Sequence, residues 1–373
     1  MYDSLRIKAY SRPFSNEHNL RQAYFWESLR GSLTNHKGQF ERIPVTSCPT
    51  LLSFLGKLKD SYKFQWMIQN NKKINSIIHL LASHLEGKLL TPSECFQTSV
   101  GQYVIEFKKQ KNLRFCIDMS DAKGIASLDL LNWSDLYFKA NYWKDETYSP
   151  KVEPVYYVNP YVLNNIEKLK QYRNLPKTYD LCFIVRVYGG TNETEGIEHN
   201  LRLIEEISKL NCNKYLYACL VSGNINQYRK RLESQGIPCG NQSLPIEDLW
   251  RISGQSRITF MRLGMHFCIP WRMTDMLAIG ASPVFDSTPY SIWPMRLTEM
   301  ENFLSLGLKW SHDKMLALDE EYRQIPRKIE EWLNNGALLQ LISDNNHRYF
   351  DDYLMPKNLG RYMIDTLLRH SNS

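Results

Sequence analysis

Residues 257–286 read RITFMRLGMHFCIPWRMTDMLAIGASPVFD, and the fold is read outward from them. RITFMRLG is an apolar, strand-like run and MHFCIP a loop. A helix follows from about Trp271, and Gly280 stops it after about nine residues, since glycine is favoured just past a helix end. SPVFD is a second strand-like run. A strand, a short helix and a strand form a crossover unit, and strands joined in that way run parallel.

The same rhythm extends upstream. DLCFIVRV (180–187) and YLYACLVSG (215–223) are two further apolar runs. Between them Ile197, Leu201, Ile204, Ile207 and Leu210 recur at three- and four-residue steps, which places one apolar stripe on a helix. Right-handed crossovers wind such units into an open parallel sheet, so the second half is predicted to be α/β. The first half repeats the theme less distinctly. LRIKAY (5–10) is strand-like, SRPFSNEHN (11–19) is a loop, and LRQAYFWESLRGSL (20–33) is a helix ending around Gly31. INSIIHLLASHLEG (74–87) is a helix stopped by Gly87, and RFCIDMSD (114–121) and DLYFKANY (135–142) are short strands. Four prolines fall in 149–180, where a linker is placed. After Asp286 the pattern turns helical, through HDKMLALDEEYRQIPRKIEEWLNN (312–335) and NHRYFDDYLMPKNLGRYMIDTLLRH (346–370), so the tail is predicted to be all α.

Bulk properties bound the function. A chain of 373 residues is long enough for two domains, and 43% hydrophobic with 23% charged residues is the balance of a folded protein. The net charge of +7 suits an anionic ligand. Its lysines and arginines are scattered, however, including KLKQYR (168–173) and YRKRLE (228–233) on predicted helices, so no nucleic-acid surface is expected. The eight cysteines form no CxxC pair and several lie in apolar runs, as reduced, buried thiols do. MYDSLRIKAYSR lacks the apolar core of a signal peptide and no run of eighteen apolar residues occurs, so the expectation is a cytoplasmic protein without stable membrane insertion. The spacing of the nine histidines supports no metal site.

The opening stretch also carries chemistry. In an open parallel sheet, ligands bind beyond the carboxyl ends of the strands, where helix amino termini face the crevice. The first turn of the helix after MHFCIP is expected to offer free backbone N–H groups and the positive end of a dipole. Arg272 adds a planar, permanently charged fork that matches two phosphate oxygens. Asp275, three residues on, can only accept hydrogen bonds when ionised, which suits sugar hydroxyls. The two together describe a site for a nucleoside diphosphate with its ribose nearby. The alternative is a surface i,i+3 ion pair, worth about half a kcal/mol.

WRMTDMLAIGASPVFD (271–286) resembles the donor-site motif of GT-B glycosyltransferases: an arginine, two variable residues, an acidic residue, A-L-A-x-G, then P-V-V. The nearest likeness is to exostosin-like and family 1-like donor domains. NHRYFDDYLMPKNLGRYMIDTLL resembles their closing segment, and WSDLYFKANY (133–142) is the one familiar stretch of the amino-terminal half. The resemblance implies an α/β fold of GT-B type, two Rossmann-like domains facing across a cleft, with carboxyl-terminal helices. Residues 1–165 would bind the acceptor, 166–350 the donor, and 351–373 would cross back to the first domain.

It also implies an NDP-sugar donor and a hydroxyl-bearing small-molecule or glycan acceptor. Arg272 would grip the diphosphate and Asp275 the ribose, with Met273 and Thr274 in the same donor-binding turn. Phe267 stands where many retaining members carry a glutamate, so transfer with inversion is expected. No Asp-x-Asp occurs, so leaving-group charge must be met by protein groups, with no metal and no cofactor.

Arg186, ahead of Gly189 and Gly190, is the next donor-binding candidate. The glycine pair permits close backbone approach without completing a G-x-G-x-x-G fingerprint, and His266 adjoins the phosphate site. Inversion requires a base, for which Glu17, His18, Asp118 and Asp121 are candidates by strand order. The rival reading is a catalytically inactive GT-B-like module that binds a nucleotide or glycan without turnover.

Overall fold

The computed structural model describes residues 5–11, 16–34, 38–44, 99–108, 111–188, 193–264, 267–309 and 316–372. The helix expected over 74–87 lies outside them. The chain divides into two compact units. One comprises Met1–Ala140, Thr147–Val155 and Pro356–Ser373, and the other comprises Asn141–Glu146 and Tyr156–Met355. Both are α/β.

The first unit holds β1 (Arg6–Ser11), β2 (Gln39–Pro44), β3 (Val100–Glu106), β4 (Leu113–Asp118) and β5 (Leu136–Lys139); β6 (Tyr142–Trp143) belongs to the other unit, and β7 (Val152–Pro154) closes the series. Their order is β2-β1-β3-β4-β5-β7. Helices α1 (Asn16–Leu33) and α2 (Leu128–Trp133) and the chain's closing helix (Pro356–Asn372) belong with this sheet. α1 starts inside the stretch expected to be loop and runs past Gly31, because Leu33 still buries its side chain.

The expected Rossmann-like pattern needs correction here, since β3 runs antiparallel to both β1 and β4. Only residues 107–112 join β3 to β4. That is too short for a crossover helix, so the two strands pair as a hairpin.

The closing helix lies against α1 at small residues. Ser32 Oγ donates to Lys357 O at 2.8 Å, and a Cβ at Gly360 would stand 1.9 Å from the Ser28 carbonyl oxygen. Gly360→Ala is therefore expected to force the two helices apart and lower stability by about 2 kcal/mol. Chemical denaturation of the variant measures it.

In the second unit every strand of the main sheet is parallel to its neighbours. β8 (Tyr179–Val187), β9 (Lys214–Leu220), β10 (Cys239–Gly240), β11 (Ser256–Met261) and β12 (Pro283–Phe285) precede β13 (Ser291–Ile292), which pairs with β6, and β14 (Leu304–Ser305). The order β10-β9-β8-β11-β12-β14 is that of a doubly wound, Rossmann-like sheet: the chain winds outward one way from β8 and the other way from β11. β13 and β14 correct the expectation that everything after Asp286 is helical.

The helices are α3 (Ile166–Gln171), α4 (Glu193–Ser208), α5 (Ile225–Glu233), α6 (Ile246–Gly254), α7 (Met273–Ile279), α8 (Asp319–Arg323), α9 (Ile325–Leu333) and α10 (Gly336–Tyr349). The stripe Ile197, Leu201, Ile204 and Ile207 is buried on α4, as its spacing predicts.

All seven residues of α7 are buried. A helix enclosed on every side is ordinarily apolar all round, yet α7 carries Thr274 and Asp275, which must find partners inside. Its carboxyl end is held firmly. Gly280 takes the left-handed conformation at φ +69°, Arg173 Nε donates to Ala278 O at 2.8 Å, and Ser343 Oγ donates to Gly280 O at 2.7 Å. Arg173 also forks onto Asp351 at 2.8 and 3.0 Å, which fixes the cation at the negative end of the helix.

Candidate functional site

The winding of the second unit reverses between β8 and β11, so the carboxyl ends of these strands border the crevice where doubly wound sheets take ligands. Arg186 is the penultimate residue of β8 and is exposed. Residues alternate faces along a strand, so Arg186 shares its face with Cys182, whose Sγ donates to Thr259 Oγ1 of β11 at 3.5 Å. Burial of Arg272 lowers its pKa, with Asp275 opposing and Cys182 within electrostatic reach. Gly189, Gly190 and His266 fall outside the described residues.

Arg272 is the residue just ahead of α7, with helical φ and ψ of −60° and −16°. Its side chain is half-buried, and its Nε is buried with no hydrogen-bond partner among the described residues. Two more buried polar atoms are left open in the segments that follow the neighbouring strands: Ser222 Oγ after β9 and Asn200 Oδ1 on α4, whose Nδ2 donates to Tyr188 O just after β8. Buried polar groups are nearly always satisfied, and these three, open among the described residues, lie in the segments that follow β8, β9 and β11.

Several expectations about this turn need correction. The N–H groups that begin α7 are not free: Met273, Thr274 and Asp275 donate to Pro270 O, Trp271 O and Arg272 O at 2.8, 3.1 and 3.0 Å. The tight turn made by Pro270–Arg272 consumes them, so an anion here would meet the guanidinium and not a fan of amides.

Asp275 is fully buried. It accepts two bonds from Asn159 Nδ2, at 2.8 and 3.0 Å, and one from Trp250 Nε1 of α6 at 2.8 Å. Burial pushes its carboxyl up to about 6 against the pull of Trp250, Asn159 and Arg272. A ribose hydroxyl cannot reach a carboxylate enclosed in this way, so the ribose contact expected of Asp275 does not fit. Nor do donor contacts from Met273 and Thr274, both buried. Thr274 Oγ1 accepts from the Asn159 N–H at 3.2 Å and donates to Tyr157 O at 3.4 Å. The surface ion pair fails as well: among the described residues Arg272 and Asp275 form no salt bridge, because the carboxylate faces Asn159 and Trp250.

In the first unit Asp118 ends β4, fully buried. It accepts from Ser120 N at 2.8 Å, Ala126 N at 3.3 Å, Tyr137 OH at 2.9 Å and Lys139 Nζ at 3.4 Å. Lys139 is equally buried and also donates to Ala122 O at 2.8 Å. A fully buried carboxylate held by four donors, one of them a cation, is out of reach of a substrate hydroxyl, so Asp118 is withdrawn as a base. Asp121 is exposed on the following loop. Glu17 and His18 lie in the first turn of α1, and their side chains fall outside the described residues.

The partners of Asp286 escaped the sequence reading. Asp286, directly after β12, is fully buried and meets His199 of α4 at 2.9 Å through Nε2. The other ring nitrogen of His199, Nδ1, meets Tyr322 OH of α8 at 2.5 Å. Arg262, directly after β11, lies within electrostatic reach of Asp286, Tyr188 and Tyr322; burial lowers its pKa and Asp286 raises it. His199 occupies a buried position beside the apolar stripe of α4, where periodicity gives no hint of a polar residue. Asn159 was visible in principle: in VNPY its Oδ1 caps the following 3₁₀ turn at Tyr161 N, 3.1 Å away.

No protein-family model matches the sequence, and no curated protein matches it. Solved glycosyltransferases share a loose likeness along nearly the whole chain. One from Rickettsia africae is 11% identical, with 99% of this chain and 99% of that chain covered, at a TM-score of 0.45. Anabaena HepE in complex with UDP is 12% identical, with 97% and 99% covered, at 0.45. A point mutant of S. aureus TarM, in complex with Fondaparinux, alpha-GlcNAc-glycerol and UDP, is 10% identical, with 99% and 100% covered, at 0.41. At such scores a likeness decides nothing, and the α/β class of both units follows from their own strand order and direction.

Proposed function

We propose that the chain is a glycosyltransferase that moves a sugar from a nucleoside diphosphate to a hydroxyl acceptor, with inversion and without a metal ion. The observation that supports it best is Arg272: a guanidinium whose buried Nε has no partner among the described residues, placed directly ahead of α7 in the segment that follows β11 of a doubly wound sheet. With Arg186 near the end of β8, Arg272 would give a diphosphate two cations. They would also meet the charge that grows on the departing nucleotide, where preorganised donors act most strongly. The corrections to Asp118 and Asp275 leave Glu17, His18 and Asp121 as candidate bases and assign the ribose to no residue.

The described cysteines Cys116, Cys182, Cys212, Cys219, Cys239 and Cys268 are free thiols, and no helix among the described residues is long and apolar enough to cross a membrane. A cytoplasmic setting is part of the same proposal.

A thermal-shift comparison of UDP, GDP, dTDP and CDP, each with and without EDTA, tests the donor class. A nucleotide at a hundred times its Kd is expected to stabilise the fold by about 2.7 kcal/mol, equally in EDTA. Release of nucleoside diphosphate from the matching NDP-sugar, with the anomeric configuration of the product read by NMR, tests transfer and its stereochemistry. Binding without turnover would select the inactive module, and no shift with any of the four would sink the transferase and leave only a module that binds a glycan.

A further inference from the structure

The Tyr322–His199–Asp286 group has no part in the transfer just described, yet three polar side chains are buried together at the end of the sheet where ligands bind. The interior favours apolar residues of similar size unless a polar group fixes a geometry. For a neutral ring the bonding pattern sets the tautomer. Asp286 accepts, so His199 Nε2–H donates to Oδ2, and Nδ1 is left to accept the Tyr322 hydroxyl proton. Burial lowers the pKa of His199 against the pull of Asp286, and Arg262 lowers it further, in keeping with a neutral ring. The second oxygen of Asp286, Oδ1, accepts from the Leu263 N–H at 2.9 Å, and its main-chain carbonyl accepts from Leu308 N at 3.0 Å.

Leu263 follows Arg262 and opens the loop that ends at Arg272. Gly264 N donates to Cys268 O at 3.1 Å, Phe267 N donates to Gly264 O at 2.8 Å, and Phe267 adopts a left-handed φ of 53°. A phenylalanine holds that conformation only where its surroundings impose it. The carboxylate of Asp286 thus ties together the element after β8, the end of β12 and the loop after β11, while Tyr322 anchors the chain from α8.

We propose that Tyr322, His199 and Asp286 are positioning residues that set the β11–α7 loop, and with it Arg262 and Arg272, for the nucleotide site. The inference rests on the functional reading above and adds to it three residues that touch no substrate. Its consequence is that nucleotide affinity depends on the Tyr322 hydroxyl, a single atom that makes no contact with a nucleotide.

Tyr322→Phe is the decisive variant, since it keeps the ring beside the Arg202 guanidinium, 5.3 Å from the ring centroid, and removes only the hydroxyl. Calorimetric titration with whichever of the four nucleoside diphosphates the wild type binds is expected to show Kd raised about tenfold, with the melting temperature lowered by a few degrees at most. Asp286→Asn is expected to raise Kd at least as much. Long-range ¹H–¹⁵N spectra of the imidazoles supply a readout that loss of packing alone would not move: His199 as a single neutral Nε2–H tautomer at pH 7 in the wild type, and a tautomer mixture in Tyr322→Phe. A Kd within twofold of wild type in Tyr322→Phe would overturn the positioning role. A wild type that binds none of the four overturns the functional reading instead. The spectra then judge the chain alone, and a cationic or mixed His199 in the wild type would dismiss it.

Discussion

Arg272→Ala is expected to slow glycosyl transfer about a hundredfold, a loss of about 3 kcal/mol of transition-state stabilisation, while the melting temperature stays within a few degrees of wild type. The asymmetry follows from the position of the guanidinium. Its Nε has no partner among the described residues and it forms no salt bridge with Asp275, so the folded protein loses little when it is removed. Charge developing on a departing diphosphate would lose its nearest donor. Arg272→Lys retains the charge but not the planar fork, and its rate should fall between the two. Steady-state kinetics beside a melting curve reads both quantities. Turnover equal to wild type in Arg272→Ala would remove Arg272 from the mechanism, and a collapse of the fold would make it structural.

The stability of the protein should decline as pH rises from about 4 to about 6, and Asp275→Asn should flatten that decline. Asp275 is buried, with its carboxyl pushed up to about 6 in the fold from near 3.9 in the unfolded chain. The folded state thus holds the proton more tightly than the unfolded state. A group raised in this way contributes fully below its unfolded value, and the contribution disappears as pH rises through the folded one. The difference amounts to about 3 kcal/mol across the window. Asparagine carries no titrating proton, and its oxygen can still accept from Trp250 and Asn159. Asp275→Ala also lacks the titrating proton but leaves both donors without an acceptor in the interior, so its curve should run flat at about 3 kcal/mol below that of Asp275→Asn. Urea unfolding of wild type and both variants at pH 4, 5, 6 and 7 decides it: a wild-type curve as flat as that of Asp275→Asn would contradict the assignment.

Legibility of the sequence tracked the range of the forces involved. The strands 180–187, 215–223, 257–264 and 282–286 were readable because each is a continuous apolar run, and the sheet they form buries both faces. The end of α7 was readable because Gly280 alone suits a left-handed residue. The antiparallel β3 escaped because its apolar run, VGQYVIE, is interrupted by Gly101 and Gln102, and its direction is set by the short connection to β4. The interior fate of Asp275 was hidden for a different reason: its partners Asn159 and Trp250 lie 116 and 25 residues away, and nothing local distinguishes a carboxylate that meets a sugar from one that meets an indole. The chain from Tyr322 to Asp286 was beyond reach, since it draws on α8, α4 and the end of β12, and only the folded sheet brings these together.

The confinement of α7 limits how such a protein can diversify. Every side chain of that helix is enclosed and both its termini are fastened, so a random substitution there meets selection for folding before selection for substrate. New preferences would have to arise in the segments that follow β8 and β9, outside the β11–α7 loop that carries Arg272. A directed-evolution library for altered donor choice belongs in those segments, with the helix left untouched.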